Sequence, residues 1–268
     1  MTLRRFSGRV GCIGIASILT FCLCAVAISD APPAFAQGTC AEQGFGVAHF
    51  DGYGAYYGVG YDGSQYRGIT GNIVTRLGYS CDPPSPTPAW YVPGYNFTYA
   101  WLMVANPDGM SGLAQGGFIR FNGGAITTAA ETNTNGSGPT RRVYPAVTQA
   151  GVDHRYTVDY QTGCHCIAIY IDGVLALSTD FDPIALWGAG QWALETYGET
   201  KDFQSDIPGH LGTSTFFHAL GSKTSTQYYT GFLGWNSYTN ENPGRWALGA
   251  INEFNPPVYG VNFQIYSY

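Results

Sequence analysis

Short runs of β-branched and aromatic residues recur along this chain, each stopped by a turn signal, and none carries a helical period. The last is the plainest: Tyr259, Val261, Phe263 and Ile265 alternate with Gly260, Asn262 and Gln264, the pattern of a strand buried on one face. Tyr95 to Ala105 and Leu113 to Phe121 are further β-rich runs, separated by the polar turn Asn106-Pro107-Asp108-Gly109. His154 to Thr179 reads as two antiparallel strands, with Asp172-Gly173 as a tight hairpin turn. Tyr66 to Ser80 reads as a strand pair, Thr213 to Leu220 as another strand, and Asp180 to Trp187 as irregular chain with room for one helical turn. Strands of this length and spacing predict an all-β fold, a two-sheet antiparallel sandwich. Residues 122–141, rich in Gly, Ala, Thr and Asn, read as a long loop or lid over one face.

The amino terminus is different in kind. Arg4, Arg5 and Arg9 precede an apolar run from about Val10 to Ile28, and Ala34-Phe35-Ala36 then offers a small-residue cleavage site. That describes a secretory signal peptide over residues 1–36, cleaved near Ala36, and the expectation is a secreted, extracellular protein. An uncleaved anchor is the other reading, but Ser17, Thr20 and Ser29 interrupt the apolar run and Pro32-Pro33 ends it. Residues 37–268 then form a single β-sandwich domain, with an aromatic-rich extension from about residue 221.

Without residues 1–36 the chain keeps nine basic and seventeen acidic side chains, and only Arg141-Arg142 are adjacent. Nucleic acid is therefore not an expected partner. No later run is long and apolar enough to cross a bilayer, so no membrane contact is expected after cleavage. The remaining cysteines are Cys40, Cys81, Cys164 and Cys166, all disulfide candidates in an oxidising compartment. Cys164 and Cys166 point to one side of an extended strand, where a bridge between such near neighbours is strained, so Cys40–Cys81 is the favoured pair, with each tied instead to the 164–166 pair as the alternative. A Cys-His-Cys metal site at 164–166 is the sharper alternative, with no second ligand cluster to support it.

Nucleophile and zinc motifs are missing, and Gly58 to Gly63 matches G-x-G-x-x-G without the strand and helix that would give it meaning. His49, His154, His165, His210 and His218 stand apart in sequence and read as hydrogen-bonded structural residues. What remains is carboxylate and amide chemistry on strands. In Trp187 to Gly209, Gln191, Ala193 and Glu195 fall on one face of a strand, with Trp192 and Leu194 on the other. Glu199 follows after a Tyr197-Gly198 bend. A carboxylate among Trp, Leu and Tyr is a candidate for a raised pKa, although a polar residue on the wet face of a strand is the plainer account. Gln115 precedes Gly116-Gly117, a pair that lets another backbone or a ligand approach.

Two of these motifs resemble a known family. Leu113-Ala114-Gln115-Gly116-Gly117-Phe118 is similar to the Gln-bearing strand of the secreted glutamic peptidases (eqolisins) and to the matching strand of neprosin-type enzymes. Trp101 in YAWLMVA stands fourteen residues earlier, and Gln191-Trp192-Ala193-Leu194-Glu195 resembles the segment carrying their catalytic Glu. The resemblance spans roughly residues 45–220. It implies a concanavalin-like β-sandwich and a metal-independent, cofactor-free acid endopeptidase. Glu195 would act as general acid and base on a water, and Gln115 would orient that water and stabilise the oxyanion. Trp101, Trp192, Tyr197 and Glu199 would contact a polypeptide substrate. The chain departs from the eqolisin pattern after the Gln strand, where Arg142-Val143-Tyr144-Pro145 replaces an aromatic, acidic segment. It also resembles a group of exported actinobacterial proteins through Gly198-Glu199-Thr200 and Ser205-Asp206-Ile207-Pro208-Gly209. The alternative is a non-catalytic extracellular module that binds carbohydrate or a surface polymer through Tyr and Trp faces. A glycosidase using Glu195 and Glu199 is a third option, disfavoured because adjacent turns do not suit opposed carboxylates.

Overall fold

The computed structural model describes residues 46–52, 65–78, 97–106, 112–121, 124–134, 140–190, 192–200, 208–210, 213–224, 228–230, 235–239, 246–248 and 261–267, all within one compact unit, Ala34–Tyr268. Among the described residues, sixteen strands form two sheets. In chain order they are β1 Gly46–Gly52, β2 Tyr66–Val74, β3 Phe97–Ala105, β4 Leu113–Phe121, β5 Ile126–Asn133, β6 Thr140–Thr148, β7 Asp153–Gln161 and β8 Cys166–Ile171. Then come β9 Val174–Ser178, β10 Ala193–Thr200, β11 Gly209–His210, β12 Thr213–Thr224, β13 Tyr228–Thr230, β14 Trp235–Thr239, β15 Trp246–Leu248 and β16 Val261–Ser267. The seven-stranded sheet runs β14-β1-β10-β3-β4-β5-β6. The nine-stranded sheet runs β15-β16-β11-β12-β2-β7-β8-β9, with β13 beside β12. The chain is thus an all-β, two-sheet sandwich whose pairings are antiparallel apart from the short β11–β16 contact.

Strand β3 explains its own sequence. All nine of its residues are buried, so both faces carry apolar side chains and the run YAWLMVA shows no polar alternation. Ala100, Leu102 and Val104 enter the core between the sheets. Phe97, Tyr99, Trp101, Met103 and Ala105 form a second cluster on the opposite face. The facing sheet contributes Ile69, Ile73, Tyr156, Val158, Ile167, Ile169 and Phe217 to the first core. The glycine pair of β4 serves packing: a Cβ on Gly116 would come 2.9 Å from Ile169 Cγ2 of the facing sheet, and one on Gly117 would come 1.9 Å from the Ala100 carbonyl oxygen.

The turn chemistry is equally direct. Asp172 and Gly173 both have positive φ, 51° and 80°, as a two-residue hairpin turn requires between β8 and β9. A five-residue helix, α1 (Pro183–Trp187), starts at Asp182, whose carboxylate accepts from the Ile184 amide at 2.8 Å. It delivers Trp187 edge-on to Trp192, ring centroids 5.6 Å apart.

Four expectations are corrected. Where it is described, the stretch 122–141 is strand rather than lid: β5 occupies Ile126–Asn133 and β6 begins at Thr140. Small and Thr-rich residues were misleading there because β5 is buried on both faces, where Ala and Thr fit between neighbouring strands. No bend separates Tyr197 from Glu199, because β10 continues through Gly198 to Thr200. Over its described residues, 66–78, the run from Tyr66 to Ser80 holds one strand, β2, rather than a pair. Cys164 and Cys166 are bonded to each other. The objection to that bridge assumed extended backbone, but residues 162–165 form a turn with His165 at φ 52°, and the two Cα atoms stand 5.2 Å apart. With both sulfurs so engaged, the Cys-His-Cys metal alternative falls. Cys40 and Cys81 lie outside the described residues.

Candidate functional site

The outward face of the seven-stranded sheet, behind Trp101, collects the polar groups. Register sets one row across it: Glu195 of β10, Met103 of β3, Gln115 of β4, Glu131 of β5 and Arg142 of β6. Directly opposed residues share a face, so all five side chains emerge on one side. Two residues along β10 comes Tyr197 opposite Trp101, and two further comes Glu199 opposite Tyr99. The alternate residues Trp192, Leu194 and Thr196 go into the sandwich. Because β10 is a continuous strand, Glu195, Tyr197 and Glu199 all line the same side.

The row is wired by hydrogen bonds. The Tyr197 hydroxyl donates to Gln115 Oε1 and lies 3.8 Å from Met103 Sδ. The Gln115 side-chain amide in turn hydrogen-bonds Glu131. Arg142 closes the chain, its Nε and one Nη both on Glu131 Oε2. Gln115 is 3% exposed and Glu131 6%, while Glu195 and Glu199 are half-buried. Burial pushes the Glu131 carboxyl above its ordinary value, and Arg142 and the Gln115 N–H pull it back only in part. The Tyr197 phenol is raised well above the usual range, first by burial and then by the charges of Glu199, Glu131 and Glu195. Tyr99 is raised by burial and by Glu199, to which its hydroxyl is bonded. Both phenols are therefore fixed donors in their contacts with Gln115 and Glu199.

Around this row runs a set of rings. Phe97 stacks on Tyr99 at 5.0 Å, Tyr99 meets Trp101 edge-on at 5.0 Å, and Phe121 meets Tyr144 edge-on at 5.5 Å. Arg142 Cζ sits 5.8 Å over the Phe97 ring. Trp101 is fully buried, and its indole N–H has no hydrogen-bond partner.

The structure thus brings together Gln115, Glu195, Tyr197, Glu199 and Trp101 from the sequence-predicted set. It does not bring Trp192. That ring lies on the other face at 0% exposure, between Trp187 and Tyr160, with Arg67 Cζ 4.5 Å above it and its N–H donated to the Gly188 carbonyl. Glu131 and Arg142 were missed, because Glu131 lay in a stretch read as loop. The available signal was Ala129-x-Glu131 alternating with Thr128-x-Ala130-x-Thr132, a strand pattern in small residues. Among the described residues no group of three or more His, Cys, Asp and Glu side chains is placed to hold a metal ion.

Comparison with known proteins gives a likeness of fold. A Scytalido-glutamic peptidase with a peptide-based transition-state analogue superposes with a TM-score of 0.50 at 10% identity, over 83% of this chain and 98% of that one. SCP-B, a member of the Eqolisin family of peptidases in complex with the tripeptide Ala-Ile-His, gives 0.47 at 10% identity, over 85% and 99%. The laminarinase catalytic domain from Thermotoga maritima gives 0.35 at 9% identity, over 83% and 76%. No family model and no curated protein matches the sequence. The chain has a glutamic-peptidase-like sandwich fold.

Proposed function

We propose that this protein is an exported, glutamic-peptidase-like hydrolase that cleaves peptide bonds in acid with Glu195 and Gln115. The observation that carries this reading is the shared row: Gln115 and Glu195 are each opposite Met103, on its two sides and on one face. Two strand spacings put their backbones roughly 10 Å apart, a span that two side chains and one water can fill. Glu195 takes a proton from that water as its oxygen attacks the peptide carbonyl. An amide N–H of Gln115 meets the oxyanion, and Glu195 then hands its proton to the leaving nitrogen. Gln115 has two amide hydrogens; Glu131 takes one, and the mechanism assigns the second to the oxyanion.

The same contacts say why the amide is usable. Tyr197 donates to its oxygen and Glu131 accepts from its nitrogen, so the group cannot flip without losing both bonds. Export rests on the amino-terminal pattern of Arg4, Arg5, Arg9 and Ala34-Phe35-Ala36. The reading is tested by hydrolysis of a denatured protein from about pH 2 to about pH 7, beside Glu195→Gln. Acid-only cleavage that disappears in the folded variant supports it. Equal cleavage by both proteins, or none by either, sinks it.

A second reading, a non-catalytic module binding carbohydrate or a surface polymer, draws on the ring set of this face. Phe97, Tyr99, Trp101 and Tyr197 are all at most 7% exposed, whereas Tyr144 is 43% exposed. A sugar platform needs accessible rings, and of these five only Tyr144 supplies one. Binding of soluble glycans that Tyr144→Ala abolishes, without any peptide cleavage, would favour this second reading over the hydrolase.

A further inference from the structure

A second constellation lies away from the Gln115 row, where β6 passes over into β7. His154 Nε2 is 2.7 Å from Thr148 Oγ1, and its Nδ1 is 2.7 Å from Asp172 Oδ2. Hydroxyl, imidazole and carboxylate are thus joined through the two opposite ring nitrogens. That is the arrangement in which a carboxylate fixes the tautomer and the free lone pair of Nε2 faces a hydroxyl proton. The members come from both sheets: Thr148 ends β6, His154 begins β7, and Asp172 occupies the β8–β9 turn.

Each member is held from behind. Asp172 Oδ1 accepts from the Arg155 amide at 2.9 Å, and the Asp172 amide donates to the Arg155 carbonyl at 2.8 Å. The connection 149–152 is pinned by Thr75, whose hydroxyl reaches the carbonyls of Gln149 at 2.5 Å and Val152 at 3.0 Å. Thr148 and His154 are part-exposed, and the turns that carry the site expose Val152 at 39% and Val174 at 70%. The Tyr156 ring packs beneath the imidazole, ring centroids 6.3 Å apart.

We infer that Thr148, His154 and Asp172 form a nucleophilic site that accepts small apolar acyl esters. The Thr148 oxygen bonds to the acyl carbon as its proton passes to His154 Nε2. The ester C–O bond breaks and Nε2 returns that proton to the leaving alcohol. A water then attacks the acyl-threonine, with His154 taking its proton and passing it to Thr148 Oγ1, and Asp172 orients the ring throughout.

The test uses the full mature chain with an alkyl fluorophosphonate, peptide mapping of any adduct, and p-nitrophenyl acetate turnover. A single phosphonyl adduct on Thr148 is expected, and Thr148→Val should lose both adduct and turnover. Asp172→Asn keeps an acceptor for the Arg155 amide but presents N–H to Nδ1, which imposes the wrong tautomer. It should slow turnover by about 10²-fold or more. Thr148→Ser retains the hydroxyl and should keep the activity even if the valine variant does not fold. Absence of an adduct on Thr148 overturns the proposal. So does wild-type turnover in folded Thr148→Val or Asp172→Asn, which would leave the three groups as a tie between the sheets.

Discussion

Gln115 and Tyr197 are joined by a buried hydrogen bond in which the phenol donates to the amide oxygen, across strand β3 that separates them. Their contact turns two ordinary strand residues into a fixed amide. Burial and the charges of Glu199, Glu131 and Glu195 keep the phenol protonated, so its role as donor does not change across the acid range.

Tyr197→Phe removes that donor and leaves the amide oxygen without it. The expected cost is roughly 1–3 kcal/mol in stability. If the amide serves the oxyanion, kcat for peptide cleavage should fall by about tenfold or more, with KM little changed. Chemical denaturation and steady-state kinetics on the same preparation separate the two effects. Full activity in Tyr197→Phe would mean that Gln115 needs no such anchor.

Glu131 supplies a pH dependence. Its carboxyl is raised in the fold, chiefly by burial, so the folded chain holds a proton that the unfolded chain has released. The stability that Glu131 contributes is complete below the ordinary carboxylate pKa and is lost as pH rises through the raised value. Wild type minus Glu131→Gln, compared by urea denaturation, should therefore decline from acid toward neutral pH. A flat or rising difference would show that Arg142 outweighs burial and holds the carboxylate ionised.

Gly117→Ala places a Cβ where the Ala100 carbonyl oxygen already stands, 1.9 Å away. The backbone of β3 or β4 must shift, and a loss of several kcal/mol is expected, on the order of other overpacked cores. Gly163→Ala, whose added Cβ meets nothing within 4 Å, is the matched control and should change stability by about 0.5 kcal/mol or less. Thermal melts of the pair would test how closely β3 and β4 approach.

Trp192→Ala should cost about 3–5 kcal/mol, the range for a large core ring. Its ring holds Trp187 and Tyr160 and lies under Arg67, all on the inner side of β10. At a temperature where the variant remains folded, KM for a peptide should be unaltered. A raised KM with unchanged stability would return Trp192 to the substrate face.

Much of this was legible in the chain. The alternation of Glu195 against Trp192 and Leu194 gave the correct faces of β10, and Asp172-Gly173 gave the hairpin. The Gln strand and the Glu strand of the resemblance lie in one sheet, β4 and β10. What stayed hidden depended on register. Glu131 is opposite Gln115 only because β4 and β5 form a hairpin, and nothing in an Ala/Thr-rich stretch announces a strand buried on both sides. Trp192 was set among the substrate contacts although the alternation already put it on the face opposite Glu195; its place just before β10, an odd number of positions from Glu195, puts it in the core. The Thr148–His154–Asp172 contacts were invisible for the same reason, since they join both sheets.

Whether Gln115 and Glu195 act on one water is read most plainly from a kinetic double-mutant cycle. Peptide hydrolysis at acid pH would be measured for wild type, Gln115→Ala, Glu195→Gln and the double variant, each shown to be folded. Groups serving one step are non-additive, so the double variant should be no slower than the slower single variant. Additive losses, or a Gln115→Ala variant as active as wild type, would contradict the account.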